Sequence, residues 1–194
     1  MTVPSRPRSP LWMVVLSMVH EEPMHPYRMQ ALIKERGKDQ IANVAQRNSV
    51  YQTIAALRRA GLIAIRETSR QERRPERTVY EVTEEGRRTL GAWLRTVLST
   101  PAREFPDFPA ALSLVAGMEP REIAALLEKR IGALEIRLAE LETPYPGLPR
   151  VFLLEAEYMA AVVRAEIKWL RAVTGDLRSG RLTWSRKQLR RFAD

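Results

Sequence analysis

The chain has 194 residues, 45% of them hydrophobic, a net charge of +9 and no cysteine. That is enough apolar material for a core in one or two domains, while the missing cysteines exclude a disulfide framework and cysteine-ligated zinc and fit a reducing, cytoplasmic setting. The charge is uneven: residues 1–100 hold 17 Lys and Arg against 10 Asp and Glu, and residues 101–180 hold 10 against 12, so the N-terminal half is the part suited to a polyanion.

Residues 1–10, with three prolines and two arginines, read as a disordered arm. The apolar run Leu11–Val19 is too short to span a bilayer and lacks the small-residue cleavage site of a secretory signal, so no membrane role is expected. It reads as the first core helix, entered through Ser9-Pro10. After the connection Glu21–Tyr27, Pro26 suits the first position of a second helix, where its missing amide has no partner to lose. That helix turns Met29, Leu32 and Ile33 inward and ends near Gly37. His20 and His25 are the only histidines and lie in different segments, a pattern for packing or helix capping rather than a metal site.

The sharpest pattern is Asn48–Ile63. Val50, Ile54, Leu57 and Leu62 form one apolar stripe, Asn48 or Ser49 can cap the first amides, and Gly61 provides the stop. The expected outer face is Gln46, Arg47, Ser49, Gln52, Thr53 and Ala56, short polar groups with almost no acid, which suits a helix that approaches DNA bases closely. A solvated surface helix can carry the same residues, and the flanks decide between the two. Residues 62–68 and 78–83 alternate apolar and polar side chains as two half-buried strands. Between them, Ser69–Arg77 places Arg70, Arg73, Arg74 and Arg77 at a hairpin tip, suited to a phosphate backbone or a minor groove, although Glu72 and Glu76 also fit a merely soluble turn.

Thr83 caps the next helix with Glu84 and Glu85 at its positive end. Its expected inner stripe is Leu90, Trp93, Leu94, Val97 and Leu98. Residues 99–107 carry two prolines and mark a domain boundary. The remainder reads as helix: Phe108 to about Ala116, Pro120 to about Glu142, and Arg150 to about Thr174, the last two folded into a hairpin by the breaker Thr143–Pro149. Residues 181–194 hold five basic residues, one acid and Trp184, and are read as a basic tail in preference to a segment that packs back.

Helix, helix, helix and two-stranded hairpin is the order of a winged helix-turn-helix. The segments Pro23-Met-His-Pro-Tyr27, Asn48-Ser-Val-Tyr51, Leu57-Arg-Arg-Ala-Gly-Leu62 and Tyr80-Glu-Val-Thr-Glu-Glu-Gly86 resemble the PadR family of bacterial transcriptional regulators, closely over about residues 11–98 and in layout beyond. Pro26 stands where the family usually has Gly, and Asn48-Ser49 where it has Gly-Ser. The resemblance implies a homodimeric repressor whose affinity for operator DNA an effector or stress signal often changes.

The expected architecture is therefore mainly α, with a winged helix-turn-helix DNA-binding domain over residues 11–98 and an all-helical dimerisation and effector domain over 108–178. Arg47, Asn48, Ser49, Tyr51, Gln52, Thr53 and the four wing arginines are the candidate DNA contacts. The helix Arg150–Thr174 carries two apolar stripes where a monomer surface needs one. The first holds Phe152, Ala156, Met159, Val163, Ile167 and Leu170, and the second Leu154, Tyr158, Ala161, Val162, Ala165, Trp169 and Val173. One stripe can face the helix Pro120–Glu142, leaving the other for a partner subunit or for the helix Glu84–Leu98 of either chain; the competing reading is that three helices of one subunit bury both faces. Trp12, Trp93, Tyr158 and Trp169 are candidate contacts for a small aromatic effector, beside the blander reading that they fill cores. No nucleophile elbow, phosphate-binding glycine loop or metal-binding pair is present, so neither an enzyme nor a cofactor is expected. The alternative function is a winged-helix module that docks an acidic protein without specific DNA binding.

Overall fold

The computed structural model describes residues 9–44, 49–69 and 77–185, and the chain divides into two units, Met1–Arg103 and Glu104–Asp194. In the first unit, α1 (Pro10–Glu21) starts on Pro10 and buries Leu11, Val15, Leu16, Met18 and Val19. α2 (Pro26–Glu35) starts on Pro26, and the His25 side chain caps it, Nδ1 accepting from the Arg28 amide at 3.1 Å. Met29, Leu32 and Ile33 are its buried face. Gly37, at φ 62°, ends the helix in a conformation that a side chain would disfavour, and one 3-10 turn follows at Lys38–Gln40.

α3 (Ser49–Arg59) buries Val50, Ile54 and Leu57, and Leu62 is buried just beyond it. Its end is doubly tied: the Gly61 amide donates to the Arg58 carbonyl at 2.9 Å and the Leu62 amide to the Leu57 carbonyl at 3.0 Å. This is the two-bond C-terminal motif that needs a left-handed residue, and Gly61 sits at φ 71°. The chain then enters β1 (Ile63–Ser69), which pairs antiparallel with β2 (Arg77–Val82), Ile63 opposite Val82 and Ile65 opposite Tyr80, with a register irregularity between Ile65 and Glu67. The link between α1 and α2 joins this sheet by one bridge, with Met24 and Tyr80 exchanging two backbone hydrogen bonds of 3.0 Å.

α4 (Glu84–Ser99) is capped by Thr83, whose hydroxyl accepts from the Gly86 amide, and carries Glu84 and Glu85 in its first turn. Leu90 and Trp93 are buried, Trp93 completely, in one core shared with α1, α2, α3 and the sheet. The second half of the expected inner stripe is different, because Leu94, Val97 and Leu98 are exposed. Within its own unit, α4 outlasts the core it packs on.

The second unit begins with α5 (Asp107–Leu112) and a 3-10 turn at Val115–Gly117, in place of one helix to Ala116. Ser113 donates to the Ala110 carbonyl at 2.6 Å, a side-chain bond that competes with helix continuation. α6 (Pro120–Leu141) and α7 (Leu154–Ser179) form the expected hairpin, with a 3-10 turn at Arg150–Phe152 before α7. Ile123, Ala124, Leu127, Leu170 and Leu177 make the core, with Ile131, Leu134, Val173 and Trp184 packed on it. α7 runs past Thr174, because Gly175 keeps helical geometry and only Gly180, at φ 74°, ends it. Residues 181–185 do not hang free as a tail: Trp184 packs on the core and its Nε1 donates to the Met118 carbonyl at 3.2 Å. Residues 186–194 lie outside the described residues. Among those described, no helix is long and apolar enough to cross a membrane.

The two stripes of α7 separate except at Val173, which is expected on the outer stripe but is half-buried and packs on the hairpin core. Val163, Ile167 and Leu170 are buried and Met159 half-buried. On the other stripe Tyr158 is 70% and Trp169 45% exposed, and Leu154, Ala161, Val162 and Ala165 are exposed as well. Phe152, assigned to the inner stripe, is exposed, because it lies in the 3-10 turn before α7 and not on the helix.

Gly86 has the least room of the described glycines in the first unit. A Cβ there would stand 2.1 Å from the Leu62 carbonyl oxygen and 2.9 Å from Val82 Cγ2. That carbonyl is fixed, since it accepts from the Thr83 amide at 3.1 Å. Gly86→Ala is expected to destabilise the protein by about 1–3 kcal/mol through overpacking. Gly91→Ala, whose Cβ would meet only the Arg95 side chain at 3.4 Å, should be neutral or stabilising by up to about 1 kcal/mol. Thermal unfolding of the two variants beside the wild type checks the contrast.

Candidate nucleic-acid interface

α3 turns a polar face outward on a well-anchored base. Its N-terminal half exposes Tyr51 and Gln52, and its C-terminal half Ala55, Arg58 and Arg59. Gln52, Ala55, Arg58 and Arg59 line one shallow groove, as their spacing of three, four and seven residues dictates. Ser49, at the helix start, is half-buried.

The groove is electrostatically one-sided. No Asp or Glu occurs between Asp39 and Glu67, while Arg47, Arg58, Arg59 and Arg66 do. Among the described residues neither Arg58 nor Arg59 enters an ion pair, whereas Arg28 and Arg36 on α2 are held by Glu35 at 3.2 Å and Glu21 at 2.7 Å. An anion approaching α3 therefore meets guanidinium groups that need not leave another partner.

One expected contact moves to the interior. Thr53 is 6% exposed, so it is a core residue and not a member of the outer face. Val50, Thr53 and Leu57 are separated by three and four residues and share one side of the helix. Conversely, Arg58, Arg59 and Ala55 join the face without having been singled out, although counting three and seven residues on from Gln52 reaches Ala55 and Arg59. Arg47 and Asn48, and Arg70, Arg73 and Arg74 of the wing, lie outside the described residues; Arg77 is described as the first residue of β2, opposite Ser69.

The four effector candidates fall into two groups. Trp12 and Trp93 lie in the first unit with ring centroids 6.2 Å apart and planes tilted by 55°, and Trp93 belongs to the core. Tyr158 and Trp169 lie on the outer stripe of α7. Trp169 meets Phe108 edge-on at 6.4 Å, and the Arg130 guanidinium sits 3.7 Å over the Phe108 ring while pairing with Glu166 at 2.7 Å. Phe108 and Arg130 were not singled out in the sequence, because nothing in residue spacing brings α5 to α6 and α7.

Residues 15–92 match the model of the transcriptional regulator PadR-like family, the part of the chain that carries the family-like segments. Over most of its length the chain also has the fold of solved PadR proteins. Bacillus subtilis PadR in complex with operator DNA aligns at 16% identity and a TM-score of 0.65, covering 86% of this chain and 98% of that one. The same protein in complex with p-coumaric acid aligns at 16% identity and 0.64, with the same coverage. The PadR-like regulator BC1756 from Bacillus cereus aligns at 17% and 0.61, covering 88% and 99%. No functionally curated protein matches the chain.

The division of α3 into two faces has a consequence for stability alone. Thr53→Ala is expected to lower stability by roughly 1 kcal/mol, while Gln52→Ala should stay within about 0.5 kcal/mol of the wild type. Equal effects in urea unfolding would contradict the placement.

Proposed function

We propose that this chain, whose residues 15–92 match the PadR-like transcriptional regulators, is a cytoplasmic, homodimeric repressor that binds double-stranded operator DNA and is released by a small aromatic effector or a stress signal. The observation that carries the DNA reading is the acid-free outer face of α3, with Gln52 beside Arg58 and Arg59 and, among the described residues, no carboxylate paired with either arginine. An amide on a helix can read adenine edges, and guanidinium groups can hold phosphates or guanine. In this reading Ser49, Tyr51 and Gln52 meet the major groove, with Arg47 and Asn48 before them. The wing arginines Arg70, Arg73, Arg74 and Arg77 hold the backbone. Thr53 takes no part. The B. subtilis PadR–operator complex, of the same fold, supports this assignment.

The exposed apolar stripe of α7 supports the dimer. Tyr158, Val162 and Trp169 are exposed large side chains on one helix face, and a second copy of the helix is the simplest cover for them. Tyr158→Glu with Ala165→Glu should yield folded monomers that bind operator weakly. Met159→Glu with Val163→Glu, on the side facing α6, should instead unfold the hairpin. Sedimentation and circular dichroism separate these outcomes, and a wild type that is monomeric at micromolar concentration would end the dimer reading.

If each subunit neutralises about 3–5 phosphates, log K should fall with log salt at a slope of about −5 to −9, on half-sites about 34–36 Å apart or a multiple of that. Arg58→Ala and Arg59→Ala should weaken binding to every sequence alike, whereas Gln52→Ala should change sequence preference. Binding that is flat between low and high salt would overturn the phosphate-contact argument. For the effector, phenolic compounds should quench tryptophan emission and release bound DNA together; a compound series that does neither would leave Trp12, Trp93, Tyr158 and Trp169 as packing residues.

A further inference from the structure

The α6–α7 hairpin carries a charge pattern that DNA binding does not use. Glu128, Glu135 and Glu142 recur every seventh residue along α6 and its cap, and Arg164, Arg171 and Arg178 do so along α7. The antiparallel rows meet rung by rung. Arg178 lies 2.5 Å from Glu128, Arg171 lies 2.6 Å from Glu135, and Arg164 pairs with Glu142.

A seven-residue repeat has an inherent ambiguity. Sliding one helix by a heptad, about 10 Å, returns apolar positions to the seam, so packing alone discriminates weakly between registers. The connection, residues 142–153 between α6 and α7, is long enough to follow such a slide. Charge discriminates better. In the register that sets Arg171 against Glu128 and Arg164 against Glu135, two opposite-charge rungs survive. The next positions of the two rows then collide: Glu157 would face Glu142, and Arg121 would face Arg178. In the observed register Glu157 is instead held by Arg150 at 2.9 Å. Arg121 stands exposed in the first turn of α6, where the helix dipole disfavours a cation, so helix stability does not account for it. Sliding the other way leaves Glu128 against Ser185 and Arg164 against Pro149, and one rung is lost.

We propose that the three Glu–Arg rungs, guarded at their ends by Arg121 and Glu157, fix the register of the hairpin against a one-heptad slip. These are positioning residues. An exposed ion pair contributes little by itself, but here a slip exchanges attractive rungs for repulsive ones. The register sets how far along α6 the apolar stripe of Tyr158, Val162 and Trp169 is presented. Only this last consequence rests on the dimer reading.

The chain has no cysteine, so cysteines introduced at Ala125 and Lys168, both exposed, can carry spin labels in the full-length protein, diluted with unlabelled chain. The wild-type background should give one intrachain distance. R121E/E157R makes the slipped register complementary on every rung and should add a second population about 8–10 Å shorter, the axial length of seven residues seen at a slant. The milder R121Q/E157Q, which only removes the guards, should add a smaller population at the same shorter distance. A single unchanged distance in either variant would overturn the proposal. Sedimentation of the unlabelled wild type tests the dimer separately, and a monomer there would leave the intrachain distances equally readable.

Discussion

The first unit depends on one close approach, that of the first turn of α4 to the end of α3. The Leu62 carbonyl accepts from the Thr83 amide, the Thr83 hydroxyl donates to the Gly61 carbonyl at 2.7 Å, and the same hydroxyl accepts from the Gly86 amide at 3.0 Å. One side chain thereby closes the end of α3 and opens α4. It can do so only because Gly86 has no Cβ, and because Gly61 supplies the left-handed turn that brings Leu62 round. The β-hairpin starts and ends at this clasp, so the base of the wing and the outer face of α3 are carried by one fixed point.

Around that point the rest is burial. Val15, Leu16, Met29, Ile33, Leu57 and Trp93 are almost wholly enclosed, and they anchor α3 by one side only. A helix held in this way can present its other side rigidly, as the proposed reading of base edges would require. The bridge between Met24 and Tyr80 adds a second tie, joining the link before α2 to the strand that leaves the wing.

The second unit solves a different problem, two long helices that need each other over one face. Apolar contacts supply the cohesion and the Glu–Arg rungs the alignment. Trp184 closes the far end, so that part of the segment read as a basic tail belongs to the packed structure. The apolar stripe left outward on α7 is a feature of this unit that its own core does not explain.

Much of this was legible in residue order. Proline at the first turn of α1, α2 and α6, glycine after α2 and α3, and the alternation of the two strands mark the elements, because caps and periodicity act within a few residues. The two stripes of α7 and the acid-free stretch around α3 are likewise properties of spacing and charge. Tertiary structure decided what local rules cannot reach. Thr53 is polar and so is expected outward, yet its position between Val50 and Leu57 puts it in the core. Leu94, Val97 and Leu98 continue an apolar stripe in sequence, but the core beneath them ends after Trp93. The rungs between α6 and α7 are beyond the reach of residue spacing, since partners 22 to 50 positions apart along the chain are joined only when the hairpin sets its register. Gly86 is the sharpest instance. Its necessity comes from a carbonyl 24 positions earlier in the chain, and only the fold brings the two together.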